Sequence, residues 1–285
     1  MHLKLSKILI NITSYTYFAL LLGSLPAHAE SLPLWEAGAG LAVIDYPHYR
    51  GSDERQNYIL PVPYIIYRGD VLKIDRQSVR GLFFHTDTVQ FDFSVNGSVP
   101  VKSKDNAARN GMPDLDPTLE LGPSLNVSLL GSESTPTRID LRMPLRAVIA
   151  SDFSSVHHEG WIFQPQINLD VENVFGQAGL NLGLATGPMF TDRRYNQYIY
   201  GVDALYSRAD RPAYQAHGGY AGTQLVAALS KRFPRYWAGG FIKWDVLSGA
   251  AFADSPLVKT KQYLTAGFGF SWIFSQSDTR VEARQ

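Results

Sequence analysis

Strict two-residue alternation runs through most of the chain and constrains its fold more than any other feature. Successive side chains of a strand point to opposite faces. In 118–129 the odd positions are Leu119, Leu121, Pro123, Leu125, Val127 and Leu129, while the even ones are Thr118, Glu120, Gly122, Ser124, Asn126 and Ser128. In 138–149, Ile139, Leu141, Met143, Leu145, Ala147 and Ile149 alternate with Arg138, Asp140, Arg142, Pro144 and Arg146. Near the end, Leu264, Ala266, Phe268, Phe270, Trp272 and Phe274 alternate with Tyr263, Thr265, Gly267, Gly269 and Ser271.

Many of these runs exceed the ~5–6 residues usual in globular strands. They match the ~9–11 residues of a tilted strand that crosses a bilayer. An apolar face outside and a polar face inside is the pattern of a transmembrane antiparallel β-barrel. A soluble β-sandwich also alternates and is the competing reading. The pattern places strands at roughly 35–44, 59–67, 71–76, 79–85, 89–99, 118–130, 137–149, 160–172, 178–190, 220–232, 236–248 and 261–274. Short and long links alternate along this list, except near Gln77-Ser78. An all-β barrel of about twelve strands is expected, with ten as the alternative. Short periplasmic turns and long extracellular loops then connect them.

The ends of the chain read differently. Lys4 and Lys7, an apolar stretch to Leu25, and Pro26-Ala27-His28-Ala29 form a secretory signal peptide over 1–29. The barrel is expected over 30–274. A polar periplasmic tail follows over 275–285, expected to be disordered. Basic and acidic residues balance at 26 each, which leaves no basic excess for nucleic acid. The chain has no cysteine, which excludes disulfides, thiol catalysis and Cys zinc sites.

One block carries a resemblance. Tyr46-Pro47-x-Tyr49-x-Gly51-Ser52-Asp53 is followed by Pro61-x-Pro63, then by Arg68-Gly69-Asp70, Asp75 and Gly81. Their order and spacing resemble the MipA/OmpV family of outer-membrane proteins. The resemblance implies a non-enzymatic barrel in the outer membrane of a Gram-negative bacterium. It also implies a scaffold between a murein lytic transglycosylase and a murein synthase, in contact with outer-membrane lipid and lipopolysaccharide. Porin-like and adhesion-related members leave other roles open. Read without the family, Pro61 and Pro63 lack donors and should pair poorly, and Arg68-Gly69-Asp70 fits a tight periplasmic turn. Arg68 and Asp70 are the first candidates for contact with a periplasmic partner.

No catalytic set, cofactor motif or metal motif emerges. The sequence has no G-x-S-x-G elbow and no H-E-x-x-H. Adjacent His157 and His158 on an extended chain point apart and chelate poorly. The charges on the predicted lumen face say more. Arg138, Arg142 and Arg146 share one strand face, with Glu120 on the strand before and Asp170 and Glu172 on the strand after. Asp92, Lys243 and Asp245 add to them. They form either a cross-strand ladder filling a narrow lumen or the lining of a narrow pore for anionic solutes. The loop 191–219 is rich in Tyr and Arg. It suits lipopolysaccharide contact, adhesion, a lumen plug, or a mobile cover over the mouth.

Overall fold

The computed structural model describes residues 31–68, 72–74, 79–81, 84–86, 88–132, 135–152 and 154–282. The expected signal peptide lies outside these residues, as do Gly69, Asp70 and Asp75.

Alternation becomes wall. β1 (Ser31–Pro33) precedes the first long strand, β2 (Trp35–Pro47), which pairs with β3 (Arg55–Arg68). Three short pieces follow: β4 (Leu72–Ile74), β5 (Val79–Gly81) and β6 (Phe84–His85). Then come β7 (Val89–Ser98), β8 (Thr118–Leu130), β9 (Thr137–Ser151), β10 (Val156–Phe163), β11 (Gln166–Val171) and β12 (Leu180–Thr191). The helix α1 (Arg193–Tyr200) interrupts the strands before β13 (Gly219–Arg232), β14 (Tyr236–Val246), β15 (Gln262–Gln276) and β16 (Arg280–Glu282). No helix among the described residues is long and apolar enough to cross a membrane.

All pairings are antiparallel, and the last long strand, β15, pairs with the first, β2. The strand order of the sheet ends in two short pieces of the segment 79–85. Its first piece, β5, pairs with β4, and its second, β6, pairs with β7. Counting β5 with β6, and β10 with β11, the wall has twelve positions among the described residues. The strands expected at 71–76 and 79–85 are present only as these short pieces.

The two faces separate as the alternation predicts. Leu41, Val43, Leu119, Leu125, Trp161, Ile242, Leu264, Phe268 and Trp272 stand exposed on the outside. Asp92, Glu120, Asp140, Arg146, Asn168, Asp245, Thr265 and Ser271 are buried inside. On β14 two aromatics sit over glycines. A Cβ on Gly239 would strike the Trp237 ring, and one on Gly267 would strike Phe241.

Three details depart from the sequence reading. The strand expected at 160–172 breaks at Gln164 and Pro165, because proline cannot donate to the ladder. Pro61 and Pro63 do not disturb the β2–β3 register, which runs unbroken from Trp35↔Tyr67 to Pro47↔Arg55. Prolines two residues apart share one parity, and the non-hydrogen-bonded positions of an antiparallel pair lose nothing to a missing donor. The tail is not wholly disordered: β15 extends to Gln276, and β16 pairs with β1.

Candidate functional site

The strands deliver their inward charges to one connected network. Arg50, on the link between β2 and β3, reaches Asp245 on β14 with two bonds, Nη2 to Oδ1 at 2.6 Å and Nε to Oδ2 at 3.2 Å. Gly222 lies under this guanidinium, at φ 103°, and a Cβ there would crowd Nη2. Asp245 also accepts from Tyr263 Oη at 3.0 Å and from Gln224 Nε2 at 2.7 Å. Gln164 Nε2 donates to Gln224 Oε1 at 2.9 Å, reaching past β12. Arg146 donates to Gln164 Oε1 at 2.7 Å and to Glu120 Oε2 at 3.0 Å. Asn96 ends the chain on Glu120 at 3.2 Å. This polar belt links β7, β8, β9, β13, β14 and β15. Buried charges in this state must be paired, and these are.

A second group lies beside the belt. Asp140 faces both Arg138 and Arg142, and Asp170 lies 3.0 Å from Arg142 and 3.5 Å from Arg138. Arg138 Nε is 2.8 Å from Asp140 Oδ2 but not aligned for a hydrogen bond. Asn126 donates to Asp92 at 2.8 Å. Between these groups is a cavity of about 90 Å³ lined by Asp92, Asn126, Arg138, Asp140, Arg142 and Arg146. The arginine face that suggested an anion path is thus held by carboxylates. Glu172, expected beside Asp170, has its carboxyl pushed up by burial.

At the short-turn end, Glu36 is fully enclosed. It accepts from Arg232 at 3.0 and 3.2 Å and from Tyr64 Oη at 3.1 Å, and lies 3.1 Å from Arg68. Arg68 also donates to the Pro33 carbonyl at 2.7 Å. The residue expected to face a partner is therefore engaged within the barrel.

Sequence reasoning missed the cap at the long-loop end. Tyr49, Tyr200, Leu247, Phe252 and Leu257 form an apolar core drawn from two loops and the helix. The rings of Tyr200 and Phe252 stack 3.7 Å apart at 7°. Tyr200 Oη donates to the Arg50 carbonyl, and Tyr49 Oη to that of Leu257. Arg109 donates to the Ile199 carbonyl at 2.7 Å, and Arg211 to those of Ala108 and Asn110. The loop 191–219 thus carries α1 and packs into this cap. Burial pushes the phenols of Tyr49, Tyr195 and Tyr200 well up, and that of Tyr198 to about 12. The aromatic density of that loop was the one available signal.

The family motif divides between cap and wall. Tyr49 and Ser52 are buried, and Ser52 Oγ accepts from Asn106 Nδ2 at 3.1 Å. Gly51 has φ 90°, and its carbonyl accepts from Lys259 and Thr260. Tyr46 lies under Lys243 Nζ at 5.0 Å. Pro47 ends β2, Asp53 is exposed, Pro61 and Pro63 lie on β3, and Gly81 ends β5. His157 meets Ser155 at 3.0 Å and His158 stands edge-on to Trp161, and no metal-binding cluster occurs among the described residues.

A closed antiparallel sheet with an apolar exterior and a charged interior defines an outer-membrane β-barrel. The profile of the family described as MltA-interacting protein MipA matches residues 38–274, and the chain belongs to that family. No curated protein matches it. Among solved structures, the Pseudomonas putida toluene transporter TodX is 8% identical, with TM-score 0.28, over 86% of this chain and 68% of that one. The Ralstonia pickettii toluene transporter TbuX is 9% identical, with TM-score 0.22, over 87% and 71%. Likenesses this slight bear on neither fold nor function.

Proposed function

We propose that this chain is a non-enzymatic scaffold barrel of a Gram-negative outer membrane, holding murein-remodelling enzymes at its periplasmic face. The observation that carries the reading is the buried polar belt from Arg50 to Asn96, with the folded cap above it. Such an interior suits a rigid structural barrel better than a conduit, since small barrels fill their lumen with side chains. The family description names the partner, MltA, and the motif resemblance gives the partner class as a murein lytic transglycosylase with a murein synthase as its companion.

On this reading 1–29 is a cleaved leader, the short turns and the β1–β16 pair face the periplasm, and the cap faces lipopolysaccharide. Because Arg68 is spent on Glu36 and Pro33, the periplasmic contact moves to the turn before β12. There Phe175 is 88% exposed at φ 58°, a conformation that bulky residues rarely adopt. The detergent-solubilised barrel should capture a purified lytic transglycosylase, and Phe175→Ala should weaken capture without changing the heat-modifiable gel shift. Capture that fails with the intact barrel contradicts the scaffold role.

The second reading is a narrow channel for anionic solutes, which the shared face of Arg138, Arg142 and Arg146 favours. The carboxylates of Glu120, Asp140 and Asp170 beside them weigh against it.

A further inference from the structure

We propose that the cleft between residues 109–115 and α1 binds a neutral sugar ring. It has a volume of about 770 Å³ and extends to Asp203 and Tyr206, with Glu159 at its edge. That size falls within the roughly 300–1,000 Å³ of small-molecule pockets.

Its walls are fixed in advance. Arg109 ties one wall to the other through the Ile199 and Pro113 carbonyls. Tyr198 Oη accepts the Asp116 N–H at 2.8 Å, and Gln197 Oε1 accepts that of Ala216 at 2.9 Å. Leu115, Met112 and the rings of Tyr198 and Tyr206 give the cleft an apolar, partly aromatic lining. The flat C–H face of a pyranose packs against such a surface.

The charges select the rest of the ligand. Asp192 is consumed in capping α1, where it accepts from Tyr195 N–H at 2.9 Å. Asp114 is consumed by Lys102 and the Ser103 N–H. Arg194 and Glu159 face each other at 3.9 Å. Arg193 and Asp203 are left, both exposed, of opposite sign and without an ion pair among the described residues. An anion would meet the carboxylates, and a cation the guanidinium groups. A neutral polyol donates to Asp203 and accepts from Arg193. Sugars of the lipopolysaccharide headgroup and free oligosaccharides share this chemistry.

The test is calorimetric titration of the refolded full chain in detergent with two probes. One is core oligosaccharide released from lipopolysaccharide, the other maltoheptaose. Saturable binding of either, weakened about ten-fold or more by Tyr206→Ala and by Asp203→Ala, is the expected result. Core oligosaccharide alone identifies the headgroup as source, and maltoheptaose alone a free sugar. Should Tyr206→Ala not fold, Asp203→Ala carries the test, since its side chain is exposed and makes no capping bond. Binding of neither probe, indifference to the substitutions, or preference for inorganic phosphate or glycylglycine would overturn the proposal.

Discussion

Arg50 and Asp245 stand 195 residues apart in sequence and form a buried two-bond ion pair, with the Asp245 side chain wholly enclosed. The pair fastens the β2–β3 link to β14 from beneath the cap. Removing one partner of a buried pair leaves an uncompensated charge and costs about 3–5 kcal/mol. Arg50→Ala and Asp245→Ala should each lower the unfolding free energy by that measure, read from the urea-unfolding midpoint and slope. The double variant Arg50→Met with Asp245→Leu should lose much less. Additive losses would mean that the two groups act independently.

Glu36 plays the matching part at the other end. Its replacement by Ala strands Arg68 and Arg232 against each other near Tyr64. The expected cost is again about 3–5 kcal/mol. Glu36→Gln, which keeps the shape and two hydrogen-bonding atoms, should cost less. Equal losses for the two variants, read from urea-unfolding midpoints, would show that packing rather than charge governs the site.

The helix of the cap is tied to the wall through its capping residue and through Asn196, whose Oδ1 accepts from Thr191 on β12 at 2.7 Å. Asp192 Oδ1 accepts N–H bonds from Tyr195 and Trp161, and Gly160, at φ 117°, leaves room for it. Losing the cap in Asp192→Ala should cost about 1 kcal/mol. Gly160→Ala should cost more, because its Cβ would collide with the Asp192 carboxylate in a backbone conformation that suits only glycine. Protease cleavage within 192–218 should rise in the same order. Unchanged protection in Gly160→Ala would contradict this geometry.

Alkali should loosen the cap before the wall. The phenols of Tyr49, Tyr195, Tyr198 and Tyr200 are raised in the fold, chiefly by burial. A group with a raised folded pKa contributes stability that is complete below its unfolded value, about 10 for tyrosine. That contribution is lost as pH rises through the folded value, about 12 for Tyr198. Near-ultraviolet dichroism should therefore decline over that window while the far-ultraviolet strand signal persists. Coincident loss of both signals would show that cap and wall unfold as one unit.

The wall was legible because parity is local. Leu119 and Glu120, or Leu145 and Arg146, differ in face simply by being neighbours on a strand. The ladder of Arg138, Arg142, Arg146, Glu120 and Asp170 followed from the same rule. Asp245 could be placed inside by parity, yet its partner could not. Arg50 lies on a link, where no period applies, and it reaches a strand far away in sequence. The cap failed for the same reason: Tyr49, Tyr200 and Phe252 share no spacing, and the loops bring them together through bonds such as Arg109 to Ile199. The break at Pro165 was not readable from the missing donor alone, since Pro61 and Pro63 lack the same donor and leave the β2–β3 register intact.

The account rests on a lumen blocked by the belt through Asp245, Gln164, Arg146 and Glu120. Planar-bilayer recording of the refolded full chain tests it most directly. The intact barrel should give no stable conductance, and excision of 192–218 together with Arg146→Ala and Glu120→Ala should give measurable openings. Stable, anion-selective conductance in the intact barrel, reduced by Ala at Arg138, Arg142 and Arg146, would contradict the account and establish a channel.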